Sequence, residues 1–440
     1  MLREISVSGF KSLSDFQIAI HPGLNVLVGP NGSGKTNIIR LFDFLSFLQQ
    51  HSLSEAISKS GGAGEIFRKI EDTKIDRKIS MKVRGSGSHV DHWGTELRKI
   101  FLAYELEIEI EFSEADNTLK FSNQIFRSKE YGRPPSRPIQ FNAVVWDVIY
   151  SASSGDRHVS LVSRPGYKID ERQKRYFDRY RQLSKDEGDD SIRQYLITSY
   201  LTRYFPGFEK FAEDASLGNT YNIVPSRVRQ PEDIAQKPVV NADGSGLAAT
   251  LYHLKHSAFH QGPSPYRRRQ AFTQDTFLKV QSYFSLVNPN LSDVEVSNDP
   301  YENKLKVSAL VRTGSNQVRM PLNLLSDGTI KWLALVTALS TNVSYFAIEE
   351  PENYIHPKMQ QEFAQIVRDT CEQRSEMFAL ITTHSETMLN SMKPHEIFIV
   401  SMEDGRTVVN NILDPDLIAK EINRTGFGLG YYYVTDAVNG

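Results

Sequence analysis

Residues 29–36 read Gly-Pro-Asn-Gly-Ser-Gly-Lys-Thr, and few folds can hold such a segment. Glycines at 29, 32 and 34 let backbone N–H groups turn toward an anion. Just before it, Leu24 to Val28 (LNVLV) is a short apolar run of buried-strand character. Just after it, Asn37 to Leu48 (NIIRLFDFLSFL) repeats apolar residues at helical spacing. Strand, glycine-rich loop and helix in that order predict a phosphate-binding loop whose anion faces a helix N-terminus. The expected ligand is ATP. Gly29, Asn31, Gly32, Ser33 and Gly34 line the phosphates, Lys35 reaches the β- and γ-phosphates, and the Thr36 hydroxyl binds Mg²⁺.

A second segment supplies acids. Tyr345 to Ile348 is an apolar strand, and Glu349-Glu350-Pro351-Glu352 follows it. Carboxylates at the C-terminal end of a buried strand stand where open α/β sheets hold their ligands. Glu349 is expected to hold Mg²⁺, directly or through water, and Glu350 to polarise the attacking water. A third strand, Met377 to Thr382, runs into Thr383-His384-Ser385. His384 at its tip is a candidate contact for the γ-phosphate or the water.

A chain of 440 residues has room for two or three domains or one large elaborated domain, and 40% hydrophobic residues for a sizeable core. A net charge of -2 argues against a globally basic nucleic-acid coat. Cys371 is the only cysteine, which excludes an intrachain disulfide and a cysteine-based zinc site. No apolar signal region opens the chain, and no run approaches the roughly 20 apolar residues of a membrane helix. Trp332 to Leu339 reads as a buried helix. These features point to a soluble, cytoplasmic protein without membrane contact.

Lys35 and Glu350 are far apart in the chain, so a large insertion separates the two halves of the site. Lys99 to Phe112 (KIFLAYELEIEIEF) alternates apolar and acidic residues, the pattern of an antiparallel strand with one wet face. Leu119 to Ile125 and Ile139 to Ile149 are expected as further strands. From about 165 to 290 the pattern turns helical and more polar. Arg164 to Lys185 holds eight Lys/Arg against three acids, with Arg172, Arg175 and Arg179 on one helical face near Tyr176 and Tyr180. That stretch fits a solvated helix face, a grip on nucleic acid or a seat for an acidic partner. Arg267 to Arg269 is a second short basic cluster, and Ser184 to Asp190 (SKDEGDD) reads as an exposed loop.

Taken as a set, these segments resemble the ABC-type ATPases of the SMC, RecF and OLD group, in the branch of AAA-like ATPases. The loop GPNGSGKTN carries Asn31 and Asn37 in the style of that group, which makes Asn37 a nucleotide contact. Ile5 to Leu13 (ISVSGFKSL) looks like its first strand and turn. Leu325-Ser326-Asp327-Gly328-Thr329 looks like a variant signature, with Asp327 where many relatives have Gly. Ile348 to Pro357 (IEEPENYIHP) looks like its Walker B and D-loop, with Glu349 where the wider group mostly has Asp, and His384 matches its switch histidine. Gly426 to Tyr433 is similar to its closing segment, and Gln124 is a candidate for its Q-loop glutamine. The resemblance covers roughly 1–70 and 300–440.

It implies an α/β fold: an ABC-type P-loop ATPase head, with a mixed sheet, flanking helices, an antiparallel β lobe and a mainly helical insertion. The expected domains are 1–163 (first half of the head, with the β lobe), 164–300 (the insertion) and 301–440 (the second half). In such proteins Ser326 and Gly328 meet the γ-phosphate of ATP held by a second copy, so a homodimer or higher homo-oligomer is implied. No heptad pattern of SMC length is present, and the nuclease domain of OLD proteins is not expected after the closing segment. The function implied is an ATPase that senses or regulates a separate effector, a nuclease or toxin, in anti-phage defence of the PARIS or Septu kind. A RecF-like DNA maintenance ATPase is the alternative. A transporter subunit and a non-hydrolysing scaffold fit the motifs less closely.

Overall fold

The computed structural model describes residues 1–71, 74–91, 98–113, 118–131, 133–135, 139–141, 146–153, 156–163, 171–185, 194–202, 205–216, 218–256, 259–261, 270–342, 344–374 and 376–435. The chain forms two compact units, each assembled from separate stretches: Met1–His21, Asn31–Leu217 and Val400–Val409 in the first, Pro22–Pro30, Gly218–Ile399 and Asn410–Gly440 in the second.

The first unit is built on a seven-stranded antiparallel sheet. Its order is Asp156–Ser163, Trp146–Ser153, Thr118–Tyr131, Arg98–Ser113, Lys78–Asp91, Leu2–Ser8 and Phe16–Ala19. Strand alternation sends Tyr104, Leu106, Ile108 and Ile110 to a buried face. There the helix Pro206–Ser216 packs through Phe208 and Phe211, with Phe126 and Phe208 ring centroids 4.1 Å apart. The wet face that the ELEIEIE pattern implies is an ion-pair ladder: Arg84 to Glu105 at 2.7 Å, Lys82 to Glu107 at 2.8 Å and Lys78 to Glu109 at 2.9 Å. Burial alone would raise the pKa of Glu105, and hydrogen bonds from Arg84, Lys82 and Arg127 outweigh it and hold the carboxyl below its ordinary value.

One strand differs from expectation. Of the strand expected over Ile139–Ile149, residues 146–149 are in the strand Trp146–Ser153, 139–141 are not in a strand, and 142–145 lie outside the described residues.

The second unit holds the parallel sheet. Its strands lie in the order Asn219–Tyr221, Tyr345–Glu349, Phe378–Thr382, Gly23–Val28, then the start of Ile397–Glu403. All four pairings are parallel. The inner strands Gly23–Val28, Tyr345–Glu349 and Phe378–Thr382 are mostly apolar, as expected of a parallel sheet buried on both faces. The helix Asp327–Thr341 is buried continuously from Ile330 to Thr341, as its apolar sequence requires. A smaller antiparallel sheet of Glu232–Asp233, Lys304–Thr313, Leu291–Asp299 and Asn316–Pro321 completes the unit with the helices Leu247–His256 and Gln274–Ser285.

Candidate functional site

In the first unit the glycine-rich loop opens the helix Lys35–Gln50. Gly32 and Gly34 have φ of +80° and +99°, the left-handed region that glycine reaches without strain. Gly34 is the N-cap and no side chain caps the helix, so its first N–H groups face outward as donors for an anion. Ser33 is buried and its Oγ meets no hydrogen-bond partner among the described residues. A buried hydroxyl in that state suits a phosphate oxygen as its missing acceptor. Lys35 is buried and Thr36 exposed at the helix start. The residues present therefore fit a polyphosphate.

Asn37 points elsewhere in this first turn. Its Nδ2 donates to Ser12 Oγ at 2.7 Å, and Ser12 Oγ meets Thr407 Oγ1 at 2.6 Å. A Cβ at Gly34 would collide with the Thr407 hydroxyl, so the loop can pass there only as glycine. A pocket of about 320 Å³ opens beside this turn, lined by Lys11, Ser12, Asn37, Phe67, Arg68 and Lys69. Burial lowers the pKa of Lys11. Sequence reasoning quoted Lys11 and Ser12 only within the opening motif. It had no signal for Thr407, which reaches the loop from far along the chain.

In the second unit three parallel strands end in one row. Glu349 pairs with Thr382, and Thr382 with Leu27. Gly29–Pro30, Glu349–Glu350 and Thr383–His384 therefore leave the sheet side by side, at its C-terminal edge. Glu350 sits in left-handed backbone, φ +44°. Its N–H donates to the Thr382 carbonyl at 3.1 Å and lies 3.2 Å from Thr382 Oγ1. Its carboxylate accepts from Asn353 Nδ2 at 2.9 Å and stands 3.7 Å from His384 Nε2. Glu352, which carried no sequence assignment, fixes the histidine turn. Its Oε1 accepts from the Thr383 hydroxyl and from the His384 N–H, both at 2.8 Å.

The same unit carries the signature turn. Ser326 is the N-cap of the helix Asp327–Thr341, its Oγ accepting from the Thr329 N–H at 3.3 Å. Asp327 does not cap the helix. Its carboxylate is 2.6 Å from Arg229, and Arg229 also donates to the Leu325 carbonyl at 2.9 Å. A Cβ at Gly328 would collide with the Tyr354 carbonyl, which ties this helix to the turn after Glu350.

Gln124, the candidate Q-loop glutamine, is held within the first unit. Its Oε1 accepts from the Ile197 N–H at 2.8 Å and its Nε2 donates to the Tyr195 carbonyl at 3.3 Å, so both ends are engaged in a buried structural pin. The basic stretch forms the helix Glu171–Lys185, with Arg172, Lys174, Arg175, Arg179 and Arg181 exposed. Tyr180 is buried against Tyr200, at 5.2 Å, because the helix is amphipathic and seats Phe177 and Tyr180 inward. Arg164, Arg267–Arg269 and most of the loop Ser184–Asp190 lie outside the described residues. Among the described residues no helix is long and apolar enough to cross a membrane.

Comparison with known proteins identifies the family. The model of a family described as "AAA domain, putative AbiEii toxin, Type IV TA system" matches residues 24–390. The chain belongs to this family of AAA domains. The match runs from the strand that feeds the phosphate loop to just past the His384 turn. Two curated relatives of this AAA-domain chain are each named "DNA replication and repair protein RecF". That of Lactococcus lactis subsp. cremoris (strain MG1363) is 28% identical over 89 residues, 20% of this chain and 25% of the relative. That of Ligilactobacillus salivarius (strain UCC118) is 30% identical over 98 residues, 21% and 25% of the two chains. The chain thus spans about a quarter of the length of these relatives. Among solved structures, an SMC head bound to the C-winged helix domain of ScpA aligns over 93% of this chain and 97% of its own, at 12% identity and a TM-score of 0.47. The family and the relatives bear out the group read from the motifs.

Proposed function

We propose that this AAA-domain chain binds ATP with Mg²⁺ and hydrolyses it, in the cytoplasm, as a homodimer or higher homo-oligomer joined through ATP. The observation that carries the reading is the row of strand ends in which Glu350 is fixed beside His384, next to the strand that feeds the phosphate loop. Backbone N–H groups of Gly29, Asn31, Gly32, Ser33 and Gly34 hold the phosphates. Lys35 neutralises the β- and γ-phosphates, and Asn37, through Ser12, shapes the pocket beside them. Thr36 and Glu349 would hold Mg²⁺, which when bound supplies positive charge to the triphosphate. Glu350 accepts a proton from the attacking water, and His384 donates a hydrogen bond toward the terminal phosphoryl group. Ser326 and Gly328 serve the nucleotide of a second copy.

The test is ATP turnover and association in the full chain. Lys35→Ala should lose nucleotide binding and turnover together. Glu350→Gln should lose turnover by about a hundredfold or more, as expected for removal of a general base, while it keeps ATP and associates more tightly. Normal hydrolysis by Glu350→Gln would remove that residue from the mechanism.

The downstream role we propose is control of a separate effector, a nuclease or toxin, in anti-phage defence. The family description, which includes a putative toxin of a Type IV toxin–antitoxin system, links the family to toxin–antitoxin systems and names no separate effector. A second reading, a RecF-like nucleic-acid-binding ATPase, is favoured by the five exposed cations of the helix Glu171–Lys185. It predicts DNA-stimulated turnover whose affinity falls steeply between 50 and about 200 mM salt. An unstimulated rate, with no shift in a gel at low salt, would remove it.

A further inference from the structure

The helix Asp327–Thr341 is buried almost throughout, yet one of its residues is a lysine. Lys331 is 3% exposed. Among the described residues its ammonium forms no ion pair. It donates to the backbone carbonyl of Glu350 at 3.2 Å and lies 5.9 Å from the centre of the Tyr354 ring. Burial lowers its pKa to about 8, against the pull of Glu352 and Glu350. A cation taken out of water without a paired carboxylate is costly, and a methionine would fill the same space without that cost.

What the ammonium touches accounts for its presence. Glu350 holds a backbone conformation that only surrounding contacts can maintain in a residue with a side chain. Its N–H is held by Thr382, from the neighbouring strand. Its carboxylate is held by Asn353, from its own turn. Its carbonyl is held by Lys331, from the helix that begins at the signature turn. Gly328, one helical turn before Lys331, lies against the Tyr354 carbonyl in the same segment. The helix thus grips the Glu350–Ile355 turn at two successive levels. A rigid helix carries any displacement at Ser326 directly to Lys331.

We propose that Lys331 is a positioning residue for Glu350, one that couples the seating of the signature turn Ser326–Thr329 to the aim of the Glu350 carboxylate. This rests on the roles given above to Glu350 and to the signature. Lys331 takes no part in the proton transfer itself. Docking of the signature turn on a second copy's nucleotide presses the helix, and Lys331 then sets the Glu350 backbone so that its carboxylate faces the water.

The experiment uses the full chain as parent, Lys331→Met, Lys331→Arg, Glu350→Gln and the Lys331→Met/Glu350→Gln double variant. Turnover, KM, ATP binding to the isolated chain and thermal midpoint are measured for each. A misplaced catalytic group costs on the order of a hundredfold, so kcat of Lys331→Met should fall by about that factor. Its KM and ATP affinity should stay within about threefold, with a thermal midpoint no lower than the parent's; Lys331→Arg should recover most of the rate. The double variant should turn over no more slowly than Glu350→Gln alone, because two residues acting through one group are not additive. A Lys331→Met chain with the parent's kcat overturns the proposal. So does a double variant much slower than Glu350→Gln, or a lost rate that tracks a lowered thermal midpoint. A parent without ATP turnover overturns the functional reading and this proposal with it, whereas the other adverse outcomes leave the functional reading standing.

Discussion

At the scale of single residues, Asp327 is the departure that needs a physical account, because it puts an acid where the proposed function docks an anion. Arg229 supplies that account. Its guanidinium meets the Asp327 carboxylate at 2.6 Å and the Leu325 carbonyl at 2.9 Å, so the turn is both neutralised and held. The pair is substantially solvent-exposed, and such pairs contribute at most about 1 kcal/mol to stability. Its effect is therefore expected on association rather than on folding. Arg229→Gln should weaken ATP-dependent association of the Glu350→Gln chain by about tenfold, on the order of 1.4 kcal/mol. Adding Asp327→Asn should restore it. Sedimentation of the three chains with ATP checks this, and a chain carrying both Arg229→Gln and Asp327→Asn that is as weak as the one with Arg229→Gln alone would mean that Arg229 itself meets the anion. Nothing in the local sequence joins these two residues. They are brought together by a turn that lies 96 residues before Leu325, and single-chain pattern reading has no access to such pairs.

At the scale of elements, the helices and strands nearest the site were the most legible. Gly23–Val28, Lys35–Gln50, Tyr345–Glu349 and Phe378–Thr382 all carry apolar runs of the right period next to punctuating glycines, acids or a histidine. The helix Asp327–Thr341 was legible as buried, but its lysine was not legible as a buried cation, since burial is a property of the neighbours. That lysine has a consequence for stability. Its pKa drops from 10.5 for an ordinary lysine to about 8 in the folded chain. Below pH 8 both folded and unfolded chains carry the proton and stability is flat. Between pH 8 and 10.5 the unfolded chain binds the extra proton, so stability rises with pH, by up to about 1.4 kcal/mol per unit. Urea unfolding of the parent and of Lys331→Met from pH 7 to 10 checks this: the difference in slope between them should appear only above pH 8.

At the scale of the whole molecule, the phosphate loop predicted an α/β sheet, and acidic alternation predicted an antiparallel sheet with a wet face. Both are present. The interleaving of the chain between two units was not legible. Ser12 meets Thr407 across 395 residues, and Asn25 donates to the Ala379 carbonyl across 354. No periodicity in a short window encodes contacts at that separation.

The second of those contacts bears on how the protein is made. The strand Gly23–Val28 leaves the ribosome as an apolar ribbon long before its neighbouring strand is made. Its neighbour Phe378–Thr382 follows roughly 20 to 70 s later at ordinary rates of synthesis. Throughout that interval neither unit can close, because each still lacks a stretch that follows residue 399. A nascent chain of this design has to be shielded until those stretches have been made, and its yield should depend on chaperone supply more than on the strength of any contact in the finished fold.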